Sequence, residues 1–143
     1  MTTYVLDASV AVKWAIPSAQ EPLTDEAEQL LKRHAIGQIN FIVPDVFWAE
    51  VGNVLWKGAR RARWSRDNAE AAATDMLARD FITVPSHSLL PVALNIAFAN
   101  DQRVYDCLYV ALASESNADL VTADERLANA LAARFPVKWL GAI

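Results

Sequence analysis

Short β-like runs alternate with longer helical patterns along the whole chain, and that alternation narrows the possible folds most. Tyr4-Val5-Leu6, Phe41-Ile42-Val43, Phe81 to Val84, Asp119 to Thr122 and Val137 to Leu140 read as strands. Between them, apolar residues recur at helical spacing: Ala8 to Ala15 ahead of Pro17, Glu21 to Ala35 ahead of Gly37, and a long helix opened by Pro44 whose apolar face carries Phe47, Val51, Val54 and Leu55. Gly58 falls near the end of that helix or weakens it there. Ser65 is placed to cap a helix running through Ala78, and Leu89 to Phe98 reads as another, with Pro91 tolerable only near its first turn. Tyr105 to Ser114 and a segment from Asp124 to Leu131 complete the series. Strand and helix in regular alternation predict an α/β fold, a parallel β-sheet flanked by helices on both faces. With 143 residues, no repeat and no linker-like stretch, a single domain over 1–143 is expected.

Composition removes several function classes. One cysteine, Cys107, allows no internal disulfide and no Cys-based zinc framework. Two histidines, His34 and His87, are too few for most zinc hydrolase sites and are assigned no role. The net charge of −4 gives no bulk attraction to nucleic acid or anionic membrane, so a polyanionic substrate would need a local basic strip or bound cations. The amino terminus lacks a basic leader, and Asp7 and Lys13 interrupt any signal-like apolar run. Leu89 to Ala99 is too short and too broken to span a bilayer. A soluble, cytoplasmic protein with no membrane partner is the expectation.

Four acids sit where hydrophobic patterning would not place them. Asp7 directly follows the first strand and Asp124 lies just past Thr122 at the end of a later one, both on the side of a parallel sheet where ligands bind. Glu50 lies among Phe47, Val51 and Val54, and Asp106 opens a helix otherwise made of Cys107 to Leu112. Taken singly, each has a plain explanation. Asp7 and Asp124 are suited to cap the helices that follow, Asp106 to face a helix dipole, and Glu50 to point sideways into solvent. Together they suggest one shared acidic pocket. Bare carboxylates a few ångströms apart repel, and hard divalent cations such as Mg²⁺ or Mn²⁺, which take oxygen ligands, are the natural remedy. Such a cluster activates water for in-line displacement at phosphorus. Ser9 and Thr122 add hydroxyls suited to orient a carboxylate or to cap backbone, and Asn53 shares the helix face of Glu50.

These residues together resemble the PIN-domain nucleases, most closely the VapC-type toxins of type II toxin–antitoxin pairs. Four blocks carry the likeness in order: Leu6-Asp7-Ala8-Ser9-Val10; Pro44-Asp45 through Ala49-Glu50-Val51-Gly52-Asn53-Val54-Leu55; Val104-Tyr105-Asp106-Cys107 through Ala113; and Leu120-Val121-Thr122-Ala123-Asp124-Glu125-Arg126-Leu127. The resemblance implies a PIN-like three-layer α/β/α fold and a Mg²⁺- or Mn²⁺-dependent endoribonuclease, with Asp7, Glu50, Asp106 and Asp124 as catalytic and metal-binding acids. Ser9, Asn53 and Thr122 match the polar positions around such a quartet. It also implies RNA substrates such as tRNA or rRNA, a homodimer, and a VapB-like antitoxin lying over the groove. Cys107, where relatives often carry a small residue, reads as packing.

Other surfaces leave alternatives open. Lys57, Arg60, Arg61, Arg63 and Arg66 include no intervening acid; they suit RNA phosphates or a solvated helix end. Arg103, three residues before Asp106, is a candidate phosphate contact. Trp48, Trp56 and Trp64 recur every eight residues, a spacing that drifts around a helix axis and makes no single stripe, so some are expected in the core and any exposed ones against an antitoxin or dimer partner, with stacking on RNA bases as the alternative. Competing functions are a housekeeping PIN-domain RNase without an antitoxin, a catalytically silent PIN-fold binding module, and a phosphatase or phosphotransfer domain using Asp7 as nucleophile. The last lacks its further parts: haloacid-dehalogenase-type phosphatases carry a second Asp where Ser9 stands. A receiver domain needs an acceptor Asp where Pro85-Ser86 follow Val84.

Overall fold

The computed structural model describes residues 1–15 and 21–143. Five parallel strands, β1 (Thr2–Leu6), β2 (Ile39–Pro44), β3 (Ile82–Val84), β4 (Asp119–Thr122) and β5 (Val137–Trp139), form one sheet in the order β3-β2-β1-β4-β5. Seven helices accompany them among the described residues: α1 (Ala8–Ala15), α2 (Thr24–Ala35), α3 (Val46–Arg60), α4 (Arg66–Ala78), α5 (Ser86–Asn100), α6 (Val104–Ser116) and α7 (Glu125–Leu131). They cover both faces of the sheet, giving the three layers expected. The centre of the sheet is continuous hydrocarbon. Val5, Leu6, Val43, Leu120 and Val121 are essentially inaccessible, and α6 is buried without a break from Cys107 to Ala113.

The strand order fixes where a ligand can bind. From β1 the chain proceeds to β2 and β3 on one side, and later to β4 and β5 on the other, so the direction of winding reverses between β1 and β4. Connections diverge there and leave a crevice at the carboxyl ends of those two strands. Register pairs Leu6 with Val121, so Asp7 and Thr122 emerge side by side at the crevice floor, with the Asp7 N–H donating to Val121 O at 3.1 Å.

Several boundaries differ from the sequence expectation, each for a local reason. Pro44 ends β2 rather than opening α3; β1 pairing has stopped at Ile42, so no ladder bond to β1 needs its missing N–H. The second helix begins at Thr24, not Glu21, because Leu23 adopts a left-handed backbone (φ 65°) just before it. Pro91 sits at the sixth position of α5, inside the helix rather than in its first turn. Its cost is limited because the carbonyl it leaves without a helical donor belongs to His87, which is exposed to water. Leu140 leaves the last strand and starts a short 3₁₀ turn. Pro17, read as the stop of α1, lies outside the described residues.

Gly58 has a packing role that helix propensity alone does not reveal. A Cβ at this position would lie 1.7 Å from the Trp64 ring, which folds back over α3 and donates its Nε1 hydrogen to Leu55 O at 3.0 Å. The three spaced tryptophans therefore divide. Trp64 is half-buried by this clasp, and Trp48 is half-buried and bonded to Thr83 Oγ1 at 3.0 Å, while Trp56 remains 54% exposed. His34 packs between Phe41 and Phe81, and His87 is exposed.

Candidate active site

Asp7 is the most constrained acid. It is buried at the end of β1, and its Oδ2 accepts hydrogen bonds from Ser9 Oγ at 2.6 Å and Thr122 Oγ1 at 2.7 Å. Each hydroxyl also accepts a backbone N–H from the β4–α7 turn: Ala123 N donates to Ser9 Oγ at 3.0 Å, and Asp124 N to Thr122 Oγ1 at 3.1 Å. A hydroxyl has one hydrogen, so receiving the turn's N–H leaves that hydrogen for Asp7. The orientation of both hydroxyls is thus set by the turn. Among the described residues Asp7 Oδ1 makes no hydrogen bond and is left for a ligand. Burial raises the Asp7 pKa, the two hydroxyls lower it, and Asp106 and Asp124 raise it again.

The other acids come from three further elements. Glu50 stands on the second turn of α3 and Asp106 in the first turn of α6, whose apolar body fixes it against the sheet. Burial and then the Asp7 charge push Glu50 up to about 7, with the neighbouring Tyr109 hydroxyl acting in the opposite sense. Asp106 is also raised, first by burial, with Arg103 opposing through an ion pair at 3.5 Å. Asp124 caps α7, accepting from Leu127 N at 3.1 Å through Oδ1. The capping explanation of Asp124 therefore holds, and the same residue also faces the cavity.

Asp7, Ser9, Glu50, Asn53, Arg103, Asp106 and Asp124 line one cavity of about 270 Å³ with Ala8, Val12 and Val54, while Thr122 lies beneath it, fully buried. All eight residues singled out from the sequence meet there. Larger hollows exist, but each is lined by at most one acid, so the chemistry concentrates in this smaller one. Asn53 is exposed, and neither it nor the largely open Arg103 guanidinium is held by a described hydrogen bond.

The four carboxylates line the cavity without closing on a common point: among the described residues no three acid, histidine or cysteine side chains form a ready ligand set. Their partners explain the spacing. Asp7 is drawn to its hydroxyls, Asp124 to its helix, Asp106 toward Arg103 and Glu50 toward Tyr109. The donor set nevertheless fits a hard divalent cation. It is all oxygen, three of its acids are biased toward the protonated form, Glu50 Oε1 is buried without a completed hydrogen bond, and Asp106 Oδ2 has only the long Arg103 ion pair. Buried carboxylate oxygens in that condition need a proton or a cation.

Tyr109 belongs to the site but was counted in the sequence as one more apolar position of α6. Its ring is 1% exposed, and its hydroxyl, also buried without a completed bond, faces Glu50 one helical turn from Asp106. Burial and the neighbouring Asp7 and Glu50 charges raise its pKa, so it stays a neutral donor. The available signal was the i, i+3 spacing from Asp106 of a side chain whose hydroxyl must be satisfied if buried. Cys107 behaves as expected of packing: it is fully buried and burial pushes its thiol up to about 11.

Residues 4–131 match the PIN domain family. The chain is 31% identical over 136 residues to Ribonuclease VapC3 of Pyrobaculum aerophilum, spanning 92% of this chain and 94% of that protein. Among solved structures, PAE2754 from Pyrobaculum aerophilum superposes with a TM-score of 0.72 at 23% identity, covering 99% of this chain and 85% of the other. VapBC2 from Rickettsia felis, solved bound to a DNA fragment from its promoter, gives a TM-score of 0.66 at 14% identity over 96% of this chain and 98% of that one.

Proposed function

The chain belongs to the PIN-domain family, and from that premise we propose that it is a VapC-type endoribonuclease toxin, hydrolysing RNA phosphodiester bonds at the Asp7/Glu50/Asp106/Asp124 cavity. The observation that carries this reading is the meeting of those four acids, from four different elements, at the crevice between β1 and β4. Mg²⁺ or Mn²⁺ held by the quartet would supply the positive charge that lowers the pKa of water and stabilises a phosphorane-like transition state. The protein's own residues do the rest. Ser9 and Thr122 lock Asp7 in one rotamer, so its free oxygen is positioned before substrate arrives. Glu50, raised to about 7 in the cation-free site, gives up its proton when it takes a cation, so cation binding and proton release are coupled there. Arg103 presents an open guanidinium at the cavity wall, suited to a phosphate beside the scissile one. No nucleophilic side chain is required, in keeping with a buried, unreactive Cys107 and no histidine at the cavity.

In this reading a VapB-like antitoxin silences the enzyme by covering the cavity; likeness to a VapBC2 chain and to Ribonuclease VapC3 supports that choice of partner. A homodimer acting in the cytoplasm on tRNA or rRNA is part of the same proposal. No described helix is long and apolar enough to cross a membrane. The test is incubation of antitoxin-free protein with total cellular RNA in Mg²⁺, Mn²⁺ or EDTA, beside Asp7→Asn and Asp106→Asn. Discrete fragments that need both the cation and the two acids are expected. Metal-dependent cleavage retained by both variants refutes the site.

A further inference from the structure

Helix α3 carries more than Glu50 into the neighbourhood of the cavity. At 100° per residue, Glu50, Asn53, Lys57 and Arg61 fall along one strip of its surface (i, i+3, i+7, i+11), with Arg60 about 65° and Trp56 about 105° round the axis from it, where both line the hollow between α3 and α4. The strip therefore starts inside the acid cavity, at Glu50 and Asn53, and ends in the basic turn between α3 and α4. At 1.5 Å per residue, Lys57 and Arg61 lie about 10 and about 16 Å along the axis from Glu50.

The composition of this turn is unlike the rest of the molecule. Five of the chain's 13 lysines and arginines fall between Lys57 and Arg66 with no acid among them, in a protein of net charge −4. All five are exposed, and among the described residues only Arg66 is ion-paired, with Glu70 at 2.7 Å. The helix dipole accounts for Lys57 and Arg60 at the end of α3 but opposes Arg66, which stands at the start of α4. Two of the guanidiniums are held on aromatic faces: Arg60 lies 5.3 Å from the Trp56 ring centroid and Arg63 5.5 Å from that of Trp64. Trp56, although apolar, is 54% exposed beside them. Aligned cations interleaved with an open indole are the elements that grip single-stranded nucleic acid, by phosphate neutralisation and base stacking.

We propose that the Lys57–Arg60–Arg61 row with Trp56 is the track along which the substrate RNA strand runs out of the acid cavity. Lys57, Arg60 and Arg61 take phosphates beyond the scissile one, and Trp56 stacks a base. This assignment rests on the ribonuclease reading and adds to it which face of the enzyme the substrate follows. It also gives an acidic protein a means of grip on RNA that leaves the carboxylates free for cations.

The test compares wild type with Lys57→Gln/Arg60→Gln/Arg61→Gln, and separately with Trp56→Ala, on an RNA carrying the mapped cleavage site, over a range of salt concentrations. Losing three phosphate contacts predicts a KM at least tenfold higher with kcat within about twofold. The slope of log KM against log salt should become shallower by about 2, at roughly 0.7 per phosphate for single strands. Trp56→Ala should raise KM about tenfold with no change of slope, because stacking releases no counterions. Arg60→Lys/Arg61→Lys should restore the wild-type slope. Unchanged KM and slope in the triple variant, while wild type cleaves, overturn the track and leave the ribonuclease reading standing. Absence of any cleavage by wild type removes that reading and the track with it. If polyglutamate binds wild type but not the triple variant while RNA kinetics are equal, the row serves an acidic protein partner and the track is overturned.

Discussion

Glu50→Gln should make the metal-free protein more stable at pH 8 while removing its response to divalent cations. The folded state raises this carboxyl from 4.5 to about 7, chiefly by burial and by the Asp7 charge. A group with a raised folded pKa favours the folded state when protonated; that contribution is complete below about pH 4.5 and is lost as the pH rises through about 7. At about 1.4 kcal/mol per pKa unit, ionising Glu50 at pH 8 carries a ceiling near ~3 kcal/mol, reduced to about 1.5 kcal/mol once its partial exposure to solvent is counted. Glutamine cannot ionise and still offers Tyr109 an oxygen, so the variant should gain that amount at pH 8. For a domain of this size the gain corresponds to a Tm about 6 °C higher. Near pH 5 most of it should vanish, because the wild-type carboxyl is then protonated. The assay is thermal unfolding in EDTA at pH 5 and pH 8, repeated with Mn²⁺. Cation binding stabilises wild type by about 2.7 kcal/mol at a hundred times its Kd, so the order of stabilities should reverse when the cation is added. A variant less stable than wild type at pH 8 in EDTA would refute the view of the site as a strained acidic cluster awaiting a cation.

Four further substitutions probe how the cavity and the helix beside it are built. Ser9→Ala and Thr122→Val each remove one of the two donors fixing Asp7, and each should weaken Mn²⁺ binding by roughly 10- to 100-fold in a calorimetric titration; unchanged affinity in both would mean that the hydroxyls do not position the acid. Tyr109→Phe removes a buried hydroxyl with no completed bond, so Tm should move by no more than about 2 °C while Mn²⁺ affinity and kcat fall; an intact kcat would make Tyr109 packing alone. Gly58→Ala should destabilise by about 1–3 kcal/mol in urea unfolding despite alanine's better helix propensity, because Trp64 occupies the Cβ position; in a Trp64→Leu background the same change should be neutral or stabilising.

The site was more legible in the sequence than the details of its support. Asp7, directly after β1, and Asp124, two residues past β4, declare themselves because they follow Val5-Leu6 and Leu120-Val121, hydrocarbon pairs that a buried parallel sheet uses. Glu50 and Asp106 stand out by contrast with the apolar helix positions around them. Topology then brings together residues 117 positions apart, Asp7 and Asp124, at one crevice. What the sequence hides depends on three-dimensional approach. Thr122 was visible as a nearby hydroxyl, but its relay from the Asp124 N–H to the Asp7 carboxylate requires the β1–β4 register. Tyr109 was concealed by its apolar neighbours on α6. Gly58 looked like a weak point of α3 until Trp64 was seen to fold over it. Pro44 and Pro91 were misplaced because tertiary context, a ladder already ended at Ile42 and a carbonyl open to water at His87, removes most of the penalty that local rules assign to proline.

The central claim is that water, activated at the acid quartet with a divalent cation, cuts RNA in line. Its most direct test is the end-group chemistry of fragments produced by antitoxin-free protein in Mn²⁺, with Asp106→Asn and EDTA as controls. External water predicts fragments without a 2′,3′-cyclic phosphate, formed only with the cation and only by wild type. Cyclic phosphate ends, or equal cleavage in EDTA, would mean that the ribose hydroxyl is the nucleophile or that the quartet is not the catalytic centre, and would contradict the account.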